Sequence, residues 1–183
     1  IKSGQGGLRL WLDFAEKRLE DATADVSLAN ISARLAPELP LLEMRSLQGR
    51  LSAKRSWGGY EVAGKQVALA LLTGERLPPT QFALQWRPGD DKRAEQGEVK
   101  IDALELQPLA LLGEYLPLPQ QVRKILAEAA PQGSIADMHF DWQGPLPNPQ
   151  RYSVRGRFDQ LGMRAYARLP GFTGVSGNID GNE

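Results

Sequence analysis

The sequence predicts a mainly β protein, an antiparallel sheet with one helical insertion. Three observations predict it. Apolar residues recur at every second position over most of the chain, the period of a strand with one buried face. Turns rich in glycine and proline separate these runs, drawing on 19 glycines and 13 prolines, and strands joined by short turns pair antiparallel. One stretch, residues 107–130, changes to the helical period.

The first run is Leu8, Leu10, Leu12 and Phe14, with Arg9 and Asp13 between them. The second spans roughly Ala22 to Ser32, with Ala22, Ala24, Val26 and Leu28 facing one way and Thr23, Asp25 and Ser27 the other. Ala36-Pro-Glu-Leu-Pro-Leu-Leu42 carries two prolines three residues apart, so it reads as an extended connection whose leucines pack on a core edge. Leu47-Gln-Gly-Arg-Leu51 and Tyr60 to Val62 flank Trp57-Gly-Gly-Tyr60, a hairpin signal. Gln66 to Thr73 suits a strand buried on both faces. Pro78-Pro79 ends the next connection, and Phe82, Leu84 and Trp86 then alternate with Ala83 and Gln85. The charged stretch Arg87 to Gly97 reads as a hairpin loop, and Glu98 to Leu106 as its partner strand, with Val99 and Ile101 on one face.

Pro108 to Leu116 and Pro119 to Ala130 then read as helical. Val122, Ile125, Leu126 and Ala129 have amphipathic spacing. Pro119 suits a first helical turn, and Pro131 with Gly133 suits a stop. Strands resume with Ala136, Met138, Phe140 and Trp142 alternating against Asp137, His139 and Asp141. After a turn at residues 144–149, Tyr152, Val154 and Phe158 alternate against Ser153, Arg155 and Arg157. Met163 to Arg168, a turn at Pro170-Gly171, and Val175 to Ile179 close a count of about ten strands. A short pattern recurs in Leu47-Gln-Gly-Arg-Leu51, Val154-Arg-Gly-Arg-Phe158 and Val175-Ser-Gly-Asn-Ile179. A mid-strand glycine on the apolar face removes a side chain and lets the sheet bend.

Composition excludes several function classes. With 22 basic and 22 acidic side chains the net charge is zero, which argues against a nucleic-acid binder that must displace counterions. No apolar run exceeds Val67 to Leu72, far short of a membrane-spanning helix. No cysteine is present, so there are no disulfides and no thiolate metal sites. With 42% hydrophobic residues, a compact chain of this size buries about 70% of its unfolded surface. The chain starts at Ile1 without a visible signal peptide and stops at Ile179-Asp-Gly-Asn-Glu183, so it reads as a piece of a longer protein.

Local motifs for chemistry are missing. Gly4-Gln-Gly-Gly7 is followed by no Gly-Lys-Ser/Thr and opens no helix, and Gly64-Lys65 is followed by Gln66, so neither is a phosphate loop. The single histidine, His139, sits between Asp137 and Asp141 on one strand face. A solvated polar face explains this better than a catalytic pair, because no nucleophile motif accompanies it. Asn178, Asp180, Asn182 and Glu183 lack the spacing of a calcium loop. Trp11, Trp57, Trp86 and Trp142 suit sheet-face packing, with sugar stacking as the alternative. No enzyme activity, metal or cofactor is expected. What remains is distributed, namely apolar faces carried by many strands. Pattern alone is met by an ordinary closed sandwich core. An open, curved sheet that keeps such a face for acyl chains also meets it, each buried methylene contributing about 0.8 kcal/mol.

Specific stretches bear on that choice. Val26-Ser-Leu-Ala-Asn-Ile31 is followed by Leu39-Pro-Leu-Leu42, Leu47-Gln-Gly-Arg-Leu51, Gly58-Gly59 and Val62-Ala-Gly64. Later come Pro131-Gln-Gly-Ser-Ile-Ala-Asp137 with Trp142, and Leu169-Pro-Gly-Phe-Thr-Gly-Val-Ser-Gly-Asn-Ile-Asp-Gly181. In this order, from about Leu8 to Gly181, they resemble the YhdP family, large AsmA-like proteins of Gram-negative envelopes.

The resemblance implies a curved antiparallel sheet forming an open groove, β-taco-like, with the helical insertion at 107–130. Residues 1–183 are then one β-groove segment of a longer periplasmic body, tethered to the inner membrane through an anchor outside the segment. Its implied role is to shield phospholipid acyl chains and support phospholipid transport between inner and outer membranes. Implied partners are phospholipid and adjacent segments of the same full-length protein, with no nucleic acid. The family supplies no catalytic residues. On this reading the groove lining is Phe82, Leu84, Trp86, Met138, Phe140, Trp142, Val154 and Phe158. Ten strands at about 4.8 Å reach roughly 50 Å, too short to cross the periplasm unaided. Two rival readings remain: a structural or interaction module with a closed β core and no lipid site, and a glycan-binding sandwich.

Overall fold

A computed structural model describes residues 3–183 apart from 57, 117, 119, 147 and 168. Trp57, the Pro119 helix start and parts of the turns at 144–149 and 163–168 therefore lie outside the described residues. The described residues form nine strands and two helices. The strands are β1 (Ser3–Ala15), β2 (Arg18–Ala33), β3 (Leu42–Ser56), β4 (Gly59–Leu71), β5 (Arg76–Arg87), β6 (Gln96–Glu105), β7 (Gln132–Gln143), β8 (Arg151–Met163) and β9 (Phe172–Asn182). Helices α1 (Leu106–Leu112) and α2 (Gln120–Ala129) connect β6 to β7. All nine strands form one antiparallel sheet in chain order, β1 to β9, not closed into a barrel. This is the mainly β class that the strand periods predict, in the open form that the family resemblance implies.

The strand count differs from the expected ten for two reasons. Tyr60 to Val62 and Gln66 to Thr73 are one strand, β4, interrupted only by a bulge at Gln66 with φ of 52°. Met163 to Arg168 is not a strand, since β8 ends at Met163 and β9 begins at Phe172. Pro78 and Pro79 lie inside β5 rather than ending the connection before it. They carry no N–H, and the β5–β6 ladder runs only from Phe82↔Ile101 to Arg87↔Gln96. At the point where it stops, the Asp102 carboxylate takes over. It accepts from the backbone N–H of Gln81 at 2.7 Å and of Ala103 at 2.6 Å. The Thr80 hydroxyl lies 3.2 Å away.

Residues paired across antiparallel strands share a face. Register therefore assigns Leu8, Leu10 and Leu12 to the face of Val26, Ala24 and Ala22, and Phe82, Leu84 and Trp86 to the face of Gly64, Val62 and Tyr60. Asn30, Gln66, Asp137 and Gln160 each hold a positive φ near 50° inside a strand. Each sits where the pairing with a neighbouring strand shifts by one residue. Such a bulge moves the alternation on by one and bends the strand. It keeps Leu28 and Ile31 on one face although they are three apart, since both belong to one packed cluster. On β7 the same slip makes Ile135, paired with Phe158, continue the apolar row, where alternation predicts Ala136.

Glycines on this face act as seats for neighbouring rings. A Cβ on Gly64 would lie 2.3 Å from the Phe82 ring, and one on Gly97 2.1 Å from the Trp142 indole. Phe158 lies in the same way over Gly177. The missing side chain lets the aromatic lie flat across the strand.

The buried apolar cluster lies at one end of the strands: Ile31, Ala33, Leu42, Met44 and Leu71 from β2–β4, closed over by Leu112 of α1. Tyr115 and Leu116 pack against it. Leu39, in the proline-interrupted connection, is also buried, as its pattern predicts. The insertion thus leaves β6, lies across the apolar face toward β2–β4, and returns to β7. Its far end is tied down by the Arg164 N–H, which donates to the Ala129 carbonyl at 2.7 Å, and by the Arg164 side chain on the Ala127 carbonyl. α2 stops at Ala130, whose φ is +41°.

Two substitutions test this packing by urea unfolding. Gly97→Ala drives a methyl into the Trp142 ring and is expected to cost about 1–3 kcal/mol, whereas Gly7→Ala, with no heavy atom within 4 Å of its Cβ, stays within about 0.5 kcal/mol. Leu112→Ala is expected to cost about 2–4 kcal/mol, because it opens the contact between the insertion and the sheet.

Candidate functional site

The two faces of the sheet differ in chemistry. On one, polar side chains form cross-strand pairs. Arg50 and Asp25 make a two-pronged pair, with Nη2 to Oδ2 at 2.8 Å. Arg155 pairs with Asp180 at 3.4 Å, and Arg157 pairs with Asp137. Trp11 also stands on this face, with the guanidinium carbons of Arg9 and Arg50 at 5.8 and 5.6 Å from its ring. A cavity of about 530 Å³ lies toward the β3–β4 and β5–β6 turns. Residues of both faces contribute to its lining: the polar row Glu61, Gln85, Glu98, Asp141 and Ser153, and the row Tyr60, Trp86, Gly97, Trp142 and Tyr152 that alternates with it.

His139 lies on this polar face. Its Nε2 is 2.7 Å from Oε1 of Glu98, forty-one residues away in sequence. Its sequence neighbour Asp137 pairs with Arg157 instead. The Lys100 ammonium bonds the same Glu98 carboxylate at 2.8 Å. That bond, aided by His139, holds the Glu98 carboxyl below its ordinary value against the opposing effect of burial. Burial also pushes the Asp102 carboxyl up, but the N–H groups of Gln81 and Ala103 outweigh it and the net shift is downward. Both groups read as structural pairs in an exposed ladder.

The opposite face is apolar and largely uncovered. All eight residues expected to line a groove lie on it, and seven fall into three rows. Phe82, Ile101 and Met138 are in register; so are Leu84, Val99, Phe140 and Val154; so are Trp86, Gly97, Trp142 and Tyr152. Phe158 stands apart, beyond the Asp137 bulge, beside Ile135 and over Gly177. Phe140 and Trp142 stack at 5.4 Å, and Tyr60 and Trp86 at 6.2 Å. Trp142 is buried, and the other seven are half-buried. The eight residues omit β6, whose Val99 and Ile101 join the β5 and β7 rows, and β4, which contributes Tyr60 and Val62. The alternation of β6 is visible in sequence, but its position between β5 and β7 follows only from the pairing.

Toward the β1 edge the same face is open to solvent. Leu8, Leu10, Leu12 and Phe14 are 55%, 54%, 48% and 65% exposed. The chain as a whole exposes 12321 Å², against about 8,700 Å² for a compact monomer of this mass. It therefore buries about 58% of its unfolded surface rather than the about 70% expected for its length. A closed sandwich would not leave this excess.

An open single-layer sheet with one charged and one apolar face, plugged at one end by a helical insertion, defines a β-groove type of protein. The YhdP protein family model matches residues 1–183, the full length of the chain, and the chain belongs to that family. Membership makes it an envelope protein of the AsmA-like group. No curated protein and no solved structure matches the chain. Among the described residues, no helix is long and apolar enough to cross a membrane.

The lowered carboxyls set the sign of an acid response. Each contributes stability fully above its unfolded value, 4.5 for Glu98 and 3.8 for Asp102, and loses it as pH falls through the lower folded value. The urea midpoint is expected to fall as pH drops below 4.5. Asp102→Asn is expected to flatten the part of the loss that lies below 3.8.

Proposed function

We propose that the chain is a periplasmic β-groove segment that shields phospholipid acyl chains and supports phospholipid transport between the inner and outer membranes. The observation that carries this reading is the apolar face, continuous over nine strands and, among the described residues, covered by protein only at the end where the helical insertion lies across it. Shielding is passive. The face replaces the bilayer interior for the chains, at about 0.8 kcal/mol per methylene removed from water. Movement stays possible because no contact in the middle rows of that face is charged or directional. Family membership supports the same reading. The edges β1 and β9 present unpaired backbone groups, which suit continuation of the sheet by adjacent segments of a longer chain. An anchor outside the segment then tethers the whole to the inner membrane. The rival with a closed β core loses its basis in an open sheet.

The test is photo-crosslinking with native mass spectrometry on the purified chain. A photoreactive residue at Phe140 is expected to capture phospholipid, and one at Arg155 on the polar face to capture none. Phe140→Asp is expected to lower co-purified lipid at least several-fold while leaving the far-ultraviolet circular dichroism unchanged. Capture at neither position, or equally at both, sinks the reading.

A further inference from the structure

The apolar face is not uniform along the strands. In order from the β3–β4 turn, the first register row is Arg55, Tyr60, Trp86, Gly97, Trp142 and Tyr152. The second is Ala53, Val62, Leu84, Val99, Phe140 and Val154. The third begins Leu51, Gly64, Phe82, Ile101 and Met138. Beyond these lies the end closed by Leu112, where Ile31, Met44 and Leu71 are buried. Every Trp and Tyr of these rows sits in the first. The second and third carry only aliphatic side chains, Phe and Gly.

Indole and phenol rings with a polar handle settle where an apolar medium meets water, as they do at membrane interfaces. The handles here point outward: Trp142 Nε1 lies 3.5 Å from Oε1 of Glu95 in the β5–β6 loop, and Tyr60 is 53% exposed. Arg55, directly opposite Tyr60, is exposed and forms no ion pair among the described residues. A guanidinium there suits a phosphodiester. The opposite end offers buried leucine, isoleucine and methionine, where an unpaired charge is heavily penalised. The length also fits. Trp142 to Ile135 on β7 spans roughly 24 Å at strand rise, more than the about 15 Å of hydrocarbon in one leaflet.

We infer that a phospholipid on this face lies along the strands in one orientation. Its phosphodiester head group sits over the Arg55–Tyr60–Trp86–Trp142–Tyr152 row, and its acyl chains point toward the α1-closed end. This rests on the lipid reading above and adds to it which rim is wet. The tryptophan belt and the helical plug then mark the two ends of a single binding orientation, repeated wherever a lipid sits across β4–β8.

Two measurements test it. In the Trp11→Phe/Trp57→Phe chain, emission comes from Trp86 and Trp142. Bound phosphatidylcholine with a nitroxide on its head group is expected to quench it at least twofold more than the same lipid with the nitroxide at the chain terminus. In the unsubstituted chain, a phospholipid with a head-group diazirine is expected to label peptides carrying Tyr60 or Tyr152. A chain-terminus diazirine is expected to label peptides carrying Ile135 or Leu77. Stronger quenching from the chain terminus, or labelling with the positions exchanged, overturns the orientation and leaves the lipid reading standing. Labelling by neither probe overturns both.

Discussion

A single-layer sheet has to hold its shape with no second layer behind most of it. That constraint organises everything else in the molecule. The backbone ladder carries the load, because each interior strand is bonded to a neighbour on both sides. At the places where the ladder fails, side chains substitute for it, as Asp102 does beside Pro78 and Pro79. Cross-strand pairs add small increments on both faces. Glycine seats under Phe82, Trp142 and Phe158 give large rings contact on one side without a covering layer. Among the described residues, the two-layered region under Leu112 is local.

The charged face follows from the same constraint. Exposed ion pairs such as Arg155–Asp180 contribute little stability individually. Across β1–β3 one row alternates in sign, Arg9, Asp25 and Arg50. The apolar face carries no charge in its middle rows, so the two sides of one backbone differ in chemistry.

Much of this was legible in the sequence, because a strand with one wet face writes its period directly into the chain. The runs at Leu8–Phe14, Phe82–Trp86 and Met138–Trp142 identified strands and the face each presents, and the helical period of 119–130 located α2. What was not legible depends on residues far apart. The bulges at Gln66 and Asp137 look locally like ordinary polar positions, so β4 read as two strands and Ala136 took the place of Ile135 in the apolar row. The partner of His139 is Glu98, brought opposite by the β6–β7 pairing, although two aspartates stand nearer in sequence. The destination of the insertion, on β2–β4, has no local signature. The resemblance to the YhdP family was carried by an ordered series of short segments, and a match over residues 1–183 bears it out.

The flat seating of rings over glycines has a mechanical consequence. A ring standing upright on a strand makes a ridge, and successive strands about 4.8 Å apart make a corrugated surface. Rings lying across Gly64, Gly97 and Gly177 fill the troughs between ridges with polarisable carbon at nearly one height. On the proposed function, an acyl chain moving from strand to strand would meet steps whose height depends on the roughness of this surface. The glycines would then lower that relief while leaving the contact area intact.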